Sequence, residues 1–153
     1  MSILESVITG HPFTRNMEPR FLGLLNECAT YQEFGVDQEI FHEGERAEQF
    51  HLIHRGMVAL QTFVPGSGTK TLQTIGSGEA LGWSWLFPPF QWHFTAVAME
   101  PVQAVSLCAR SLRERIQEDR EFGYEIAIRV GELVLERLQA TRLRLLELYG
   151  VSE

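Results

Sequence analysis

The chain has 153 residues, 44% of them hydrophobic, and a net charge of −7, which suits one domain with a sizeable core. Because affinity for nucleic acids depends mainly on Lys and Arg, the acidic balance argues against direct nucleic-acid binding. No apolar run approaches the roughly 20 residues of a membrane-spanning helix, and residues 1–15 lack a signal-peptide pattern, so we expect a cytoplasmic protein without membrane contact.

The first two thirds of the chain predict one helix followed by short strands. Segment 18–29 has apolar residues at helical spacing, with either Asn16 as its N-cap or Pro19 in its first turn. Runs of alternating or β-branched residues then follow, separated by turn residues, which is typical of a sandwich or jelly roll. A PGSG sequence between the fourth and fifth runs predicts a hairpin turn. The predicted strands are 31–34, 39–41, 49–54, 57–64, 69–75, 92–98 and 102–108.

The last third of the chain has a helical pattern. Ser111 is expected to cap a short helix over 112–118. A longer helix over 122–149 contains no proline and is followed by glycine. We therefore predict a roll with its N-terminal helix over 1–120 and a C-terminal dimerisation helix over 121–150, both in the same domain unit.

The long helix carries an apolar seam in alternating steps of four and three residues, which is the spacing of a heptad repeat. This seam predicts a parallel homodimer, and the alternative is a helix folded against its own domain. A second apolar row, which begins with Ile126 and Val130, is suited to packing on the roll. The predicted dimer-interface residues are Ala127, Gly131, Val134, Leu138, Thr141, Leu145 and Leu148.

Several motifs resemble the sensor half of the Crp/Fnr family of bacterial regulators. Residues 40–47, IFHEGERA, resemble the family's I-F-x-E-G-x-x-A turn, and residues 50–56 continue it. Residues 76–82 resemble the start of the family's phosphate-binding cassette, and residues 137–141, RLQAT, resemble its long helix. The resemblance covers roughly residues 12–149. It implies a mainly β fold with flanking helices, a double-stranded β-helix or jelly roll of the cyclic-nucleotide-binding type.

The cassette departs from the family pattern at its charged positions. In nucleotide-binding members, a Glu accepts a hydrogen bond from the ribose 2′-hydroxyl and an Arg pairs with the cyclic phosphate. The matching positions here hold Trp83 and His93, with Phe94 at the following Ser/Thr position and Thr95 next, while Gly82 is retained. An imidazole is mostly uncharged at neutral pH and offers no guanidinium fork. We therefore expect cyclic AMP binding to be altered or lost.

Aromatic residues are concentrated in the cassette, since segment 83–94 contains all three tryptophans and three phenylalanines. This composition favours a small planar or apolar effector with few polar partners. The alternatives are a cavity filled by these rings and surviving cyclic nucleotide binding. By resemblance, Thr141 matches a helix position that touches the purine across the dimer, and Arg142 is a candidate replacement for the missing charge. The predicted ligand-binding residues are Gly82, Trp83, Ser84, Trp85, His93, Thr95, Thr141 and Arg142.

Motifs for catalysis and metal binding are missing from the sequence. There is no nucleophile elbow or P-loop, and the five histidines form no H-x-H pair. Cys28 and Cys108 stand apart, and we expect two buried thiols in a reducing compartment. We therefore expect no enzymatic activity, no metal and no resident cofactor.

The expected function is a small-molecule-sensing regulatory module. The family's helix-turn-helix domain has no room after Gly150, so we expect a chain without a DNA-binding domain that signals through a protein partner. The alternatives are the sensor domain of a truncated Crp/Fnr transcription regulator and a ligand-free structural dimer.

Overall fold

The computed structural model describes residues 2–150 and confirms the predicted roll. Within these residues, eight antiparallel strands form two four-stranded sheets, in the orders β1-β8-β3-β6 and β2-β7-β4-β5. The β4–β5 connection is the hairpin predicted from PGSG, whereas the short β6 had no predicted counterpart. The strands are β1 (Ala29–Phe34), β2 (Glu39–Phe41), β3 (Gln49–Arg55), β4 (Val58–Val64), β5 (Gly68–Ile75), β6 (Ala80–Leu81), β7 (Thr95–Ala98) and β8 (Val102–Cys108).

Four α-helices flank the roll, and a 3₁₀ turn over Pro12–Thr14 connects the first two. The first helix was not predicted; Ser2 caps it by accepting from the Glu5 amide, and it buries Val7 and Ile8. Pro19 begins the second helix, as one of the two alternatives stated, whereas Asn16 has a positive φ of 61° and is not the cap. The helices are α1 (Ile3–Gly10), α2 (Pro19–Glu27), α3 (Ala109–Glu118) and α4 (Arg120–Leu148).

The third helix begins earlier than the sequence indicated. The predicted cap at Ser111 is wrong, because β8 continues directly into α3 with Cys108 at the N-cap position. Cys108 is exposed, contrary to the expectation of two buried thiols, whereas Cys28 is buried. None of the helices within residues 2–150 combines the length and hydropathy that a bilayer span requires.

The fourth helix docks on the roll mainly through its first three turns, and Leu133 and Val134 beyond them pack partly buried against the core. Asp119 caps it by accepting from the Phe122 amide at 3.1 Å, and its buried residues are Phe122, Ile126 and Val130. Arg129 adds a hydrogen bond to the Phe13 carbonyl at 2.6 Å. Further along, Leu138 remains 61% exposed. The C-terminal half of α4 therefore lies alongside the roll without a buried apolar face.

A buried histidine connects the two strands at the centre of the first sheet to their edge neighbour. His51 on β3 has its Nδ1 2.6 Å from the Ser106 hydroxyl of β8. Ser106 in turn donates to the Gln32 side chain on β1 at 2.7 Å, so the imidazole is the donor to Ser106. Burial lowers the pKa of His51 from 6.5 to about 4, because the apolar surroundings disfavour the charged form.

We expect His51 to make the fold less stable in acid. Between its unfolded pKa of 6.5 and its folded pKa of about 4, the unfolded chain binds a proton that the folded protein does not. The free energy of unfolding should therefore fall by roughly 3 kcal/mol as the pH drops through this window. Urea unfolding followed by tryptophan fluorescence at several pH values measures this effect.

The variant His51→Asn isolates the contribution of this residue, because its amide keeps a donor for Ser106 and does not titrate. It should show a shallower pH dependence than the wild type. An unchanged slope in His51→Asn would contradict the assignment.

Candidate ligand-binding site

A cavity of about 620 Å³ lies between the roll and the C-terminal half of α4. This volume is within the range of about 300–1,000 Å³ that is usual for small-molecule sites. One wall comes from β4, β5 and the segment 82–94, and the other wall comes from α4. The lining residues are Leu60, Lys70, Thr71, Leu72, Gln73, Trp83, Ser84, His93, Phe94, Arg137, Thr141, Arg144, Leu145 and Leu148.

Four of the eight predicted ligand-binding residues meet at this cavity. Trp83, Ser84 and His93 come from the cassette segment, and Thr141 comes from α4. Trp83 and His93 thus occupy the cavity wall at the positions that the resemblance assigns to the nucleotide-binding Glu and Arg.

The other four predicted residues lie outside the cavity. Trp85 is fully buried and stacks on Phe50, with ring centroids 5.0 Å apart. The Thr95 hydroxyl accepts from the Glu43 amide at 3.0 Å and thereby holds the turn after β2. Arg142 follows Thr141 directly and is therefore rotated by about 100° around the helix, so that its side chain does not line the cavity.

Gly82, the fourth of these residues, has a packing role in the structure. Its φ is +78°, and a Cβ there would lie 2.6 Å from the Trp92 ring. Trp92 stacks on Phe41 with centroids 3.8 Å apart, so the ring has little freedom to move. After Gly82 the chain forms a single turn, in which the Leu86 amide donates to the Trp83 carbonyl at 3.0 Å.

The ligand-binding residues predicted from the sequence do not include three cations that line the cavity. Lys70 comes from β5, and Arg137 and Arg144 come from α4. The helical signal for the two arginines was present, because Arg137, Thr141, Arg144 and Leu148 follow each other at steps of four, three and four, which places them on one face. From α4, the resemblance drew attention to Thr141 and Arg142.

Arg137 is the most enclosed of these cations. Its guanidinium carbon lies 5.6 Å from the centroid of the Trp83 ring, and its Nη2 donates to the Ala80 carbonyl at 3.5 Å. Burial lowers the pKa of Arg137, while the nearby charges of Glu79 and Glu136 oppose this shift. Trp83 therefore faces a guanidinium in this chain and contributes a cation–π contact.

Polar contacts join the free half of α4 to β5 along the edge of the cavity. The Gln73 amide donates to the Thr141 hydroxyl at 3.3 Å. Arg144 donates to the Leu72 carbonyl and, at 3.4 Å, to the Thr71 carbonyl. These exposed hydrogen bonds are individually weak.

The sequence predicts no metal site. Within residues 2–150, no group of three or more His, Cys, Asp or Glu side chains is arranged to hold a metal ion.

A second cavity of about 370 Å³ adjoins the first on the other side of Arg137. It is lined by charged residues of both signs, which include Glu79, Arg129 and Glu136.

Comparisons with known proteins agree with this architecture. The chain is similar to a protein from Geobacter metallireducens assigned to the cyclic nucleotide-binding proteins, with 25% identity and a TM-score of 0.78 over 90% of this chain and 99% of that one. A cyclic nucleotide-binding domain from Methylobacillus flagellatus has 18% identity and a TM-score of 0.79, over 94% and 81% of the two chains. No curated protein matches the chain.

A regulator is also among the similar structures. The catabolite activator protein of Thermus thermophilus is 23% identical with a TM-score of 0.70, and the match covers 90% of this chain and 63% of the activator. The family model for the cyclic nucleotide-binding domain matches residues 31–119, which is more than half of the chain. This chain therefore belongs to the cyclic nucleotide-binding domain family.

Proposed function

We propose that this chain is a non-catalytic regulatory module that senses a small molecule in the cavity between the roll and α4. The observation that carries the proposal is that both parts of the molecule supply walls of this cavity. A ligand in the cavity contacts both the roll and α4. It shifts the equilibrium between two positions of α4 to the extent that its affinity for the two differs. The similarity to cyclic nucleotide-binding proteins and to a catabolite activator supports a regulatory role.

The open volume supports ligand binding over a filled pocket. Of the aromatic residues in the cassette, Trp85 and Trp92 are directed into the core, and only Trp83 and Phe94 line the cavity. The rings therefore leave about 620 Å³ unfilled. This arrangement favours the sensing function over that of a purely structural dimer.

We further infer that the cavity has an altered ligand specificity. Trp83 lines it where the family's Glu would accept from the ribose, and His93 lines it where the family's Arg would hold the phosphate. A lost charge-assisted contact of this kind weakens binding on the order of a thousandfold. Within the single chain, the side chain of Arg142, the sequence candidate for the missing charge, lies outside the cavity lining.

We expect millimolar cyclic AMP or cyclic GMP to leave the melting temperature of the protein unchanged. The double variant Trp83→Glu/His93→Arg, which restores both family anchors, should gain an upward shift of several degrees with cyclic AMP, because a ligand at about 100 times its Kd adds roughly 2.7 kcal/mol of stability. Differential scanning calorimetry measures both.

The matched control for this test places the second substitution at the surface. Trp83→Glu/His42→Arg makes the same two replacements, but its arginine is far from the cavity lining, and it should show no shift. A clear shift of the wild-type protein with cyclic AMP would show that specificity is not altered.

We propose that the module acts as a homodimer through α4. Leu138, Leu145 and Leu148 lie on the predicted seam and are 61%, 50% and 78% exposed in the single chain. Leu145 and Leu148 also line the cavity, so the seam borders the proposed ligand site. Gly131 faces open space, with no atom within 4 Å of a Cβ built there, so a second helix has room for close approach. Each leucine buried between two copies contributes about 1.5–3 kcal/mol.

The variant Leu138→Glu should be monomeric at micromolar concentration, because it places a carboxylate in the apolar seam opposite its own copy. Multi-angle light scattering reports the mass directly. The control Gln139→Glu adds the same charge one residue along, at an exposed position off the seam, and should remain dimeric. A dimer of Leu138→Glu would exclude this seam as the interface.

A further inference from the structure

The cavity is cationic although the protein is acidic. Lys70, Arg137 and Arg144 line it together with His93, whereas the whole chain has a net charge of −7. Within the described residues 2–150, the lining includes no Asp or Glu. In a cleft with apolar walls, charges of one sign concentrate a ligand of the opposite sign.

Within residues 2–150, none of these three cations takes part in an ion pair. Arg144 uses two nitrogen atoms on backbone carbonyls, and a guanidinium has five N–H donors, so donors remain for a ligand. Glu79 and Glu136, the acids whose charges reach Arg137, line the neighbouring cavity, which Arg137 and Arg144 also line.

The rest of the wall is apolar. Leu60, Leu72, Phe94, Leu145 and Leu148 surround the space between the cations. With Trp83 at the position of the family's ribose acceptor, and no carboxylate in the described lining, the hydroxyl groups of a sugar find no strong acceptor here. The site therefore suits a molecule with a compact apolar body and a single anionic group.

We propose that the effector of this module is an apolar monoanion, a carboxylate carried on an aromatic or aliphatic body, which Lys70, Arg137 and Arg144 bind. This inference rests on the proposed sensing function and specifies its ligand. The carboxylate accepts from the guanidinium groups in charge-assisted hydrogen bonds, and the hydrophobic body contacts Trp83 and the leucines. An anion at this position also links Lys70 on β5 with two arginines on α4, which couples occupancy to the position of α4.

Isothermal titration calorimetry on the full chain tests this with a matched pair of ligands. The probes are 1-naphthaleneacetate and its neutral amide, 1-naphthaleneacetamide, which share the same apolar body. We expect the carboxylate to bind at least tenfold more tightly than the amide. Cyclic AMP, as a third probe, should bind more weakly than the carboxylate.

Variants at the cations assign this preference to the cavity. Arg144→Gln should reduce carboxylate affinity at least tenfold and leave amide affinity nearly unchanged. Lys70→Gln on β5 provides a second variant, in case Arg144→Gln disturbs the helix. Within the described residues, the Lys70 side chain makes no hydrogen bond to α4. Arg142→Gln removes the same charge two residues before Arg144, outside the cavity lining. This variant should bind the carboxylate like the wild type.

The outcomes separate this inference from the proposed function. Equal affinity for carboxylate and amide would overturn the anion preference while leaving a ligand-sensing cavity in place. An equal loss in Arg142→Gln and Arg144→Gln would also overturn it, because the effect would then come from general surface charge. Absence of carboxylate binding overturns the inference, whereas the proposed function falls only if the neutral amide fails to bind as well.

Discussion

The architecture of the site depends on how the first three turns of α4 are held against the roll. Phe122, Ile126 and Val130 are buried there, and the Phe122 ring contacts Phe21 of α2 at 5.6 Å. Arg20, also on α2, bonds to Asp119 and so holds the N-cap of α4. Because a helix is stiff over its length, this docking determines where the later turns lie. It brings the face that carries Arg137 and Thr141 over the cassette, where Arg137 contacts the Trp83 ring.

Within that geometry, the cassette has exchanged one set of interactions for another. A carboxylate and a guanidinium on the roll, as in the family pattern, recognise a sugar and a phosphate. Here the roll presents Trp83 and His93, and the guanidinium groups come from α4 as Arg137 and Arg144. The guanidinium charge that lines the cavity thus comes from α4, whereas the family pattern places it on the roll.

The elements that could be predicted from the sequence are those with a strong local pattern of apolar and turn residues. Alternating runs between turn residues predict seven of the eight strands, and an uninterrupted stretch of heptad spacing predicts α4. The cassette motif also predicted Trp83, Ser84 and His93 as site residues. The motifs place this segment between strands of the roll. The weak points were short elements such as β6, whose two residues carry no periodicity, and α1, which precedes every recognisable motif.

Only the tertiary structure decided which side chains share the cavity. Trp83 and Trp85 are two residues apart in one aromatic segment, yet the turn between them sends the first into the cavity and the second into the core against Phe50. Lys70 and Arg144 are 74 residues apart in the sequence, and no local pattern pairs them. They meet because the docking of α4 places its free half beside β5. Spacing along the chain predicts the face of an element, whereas the choice of its neighbour depends on packing between distant segments.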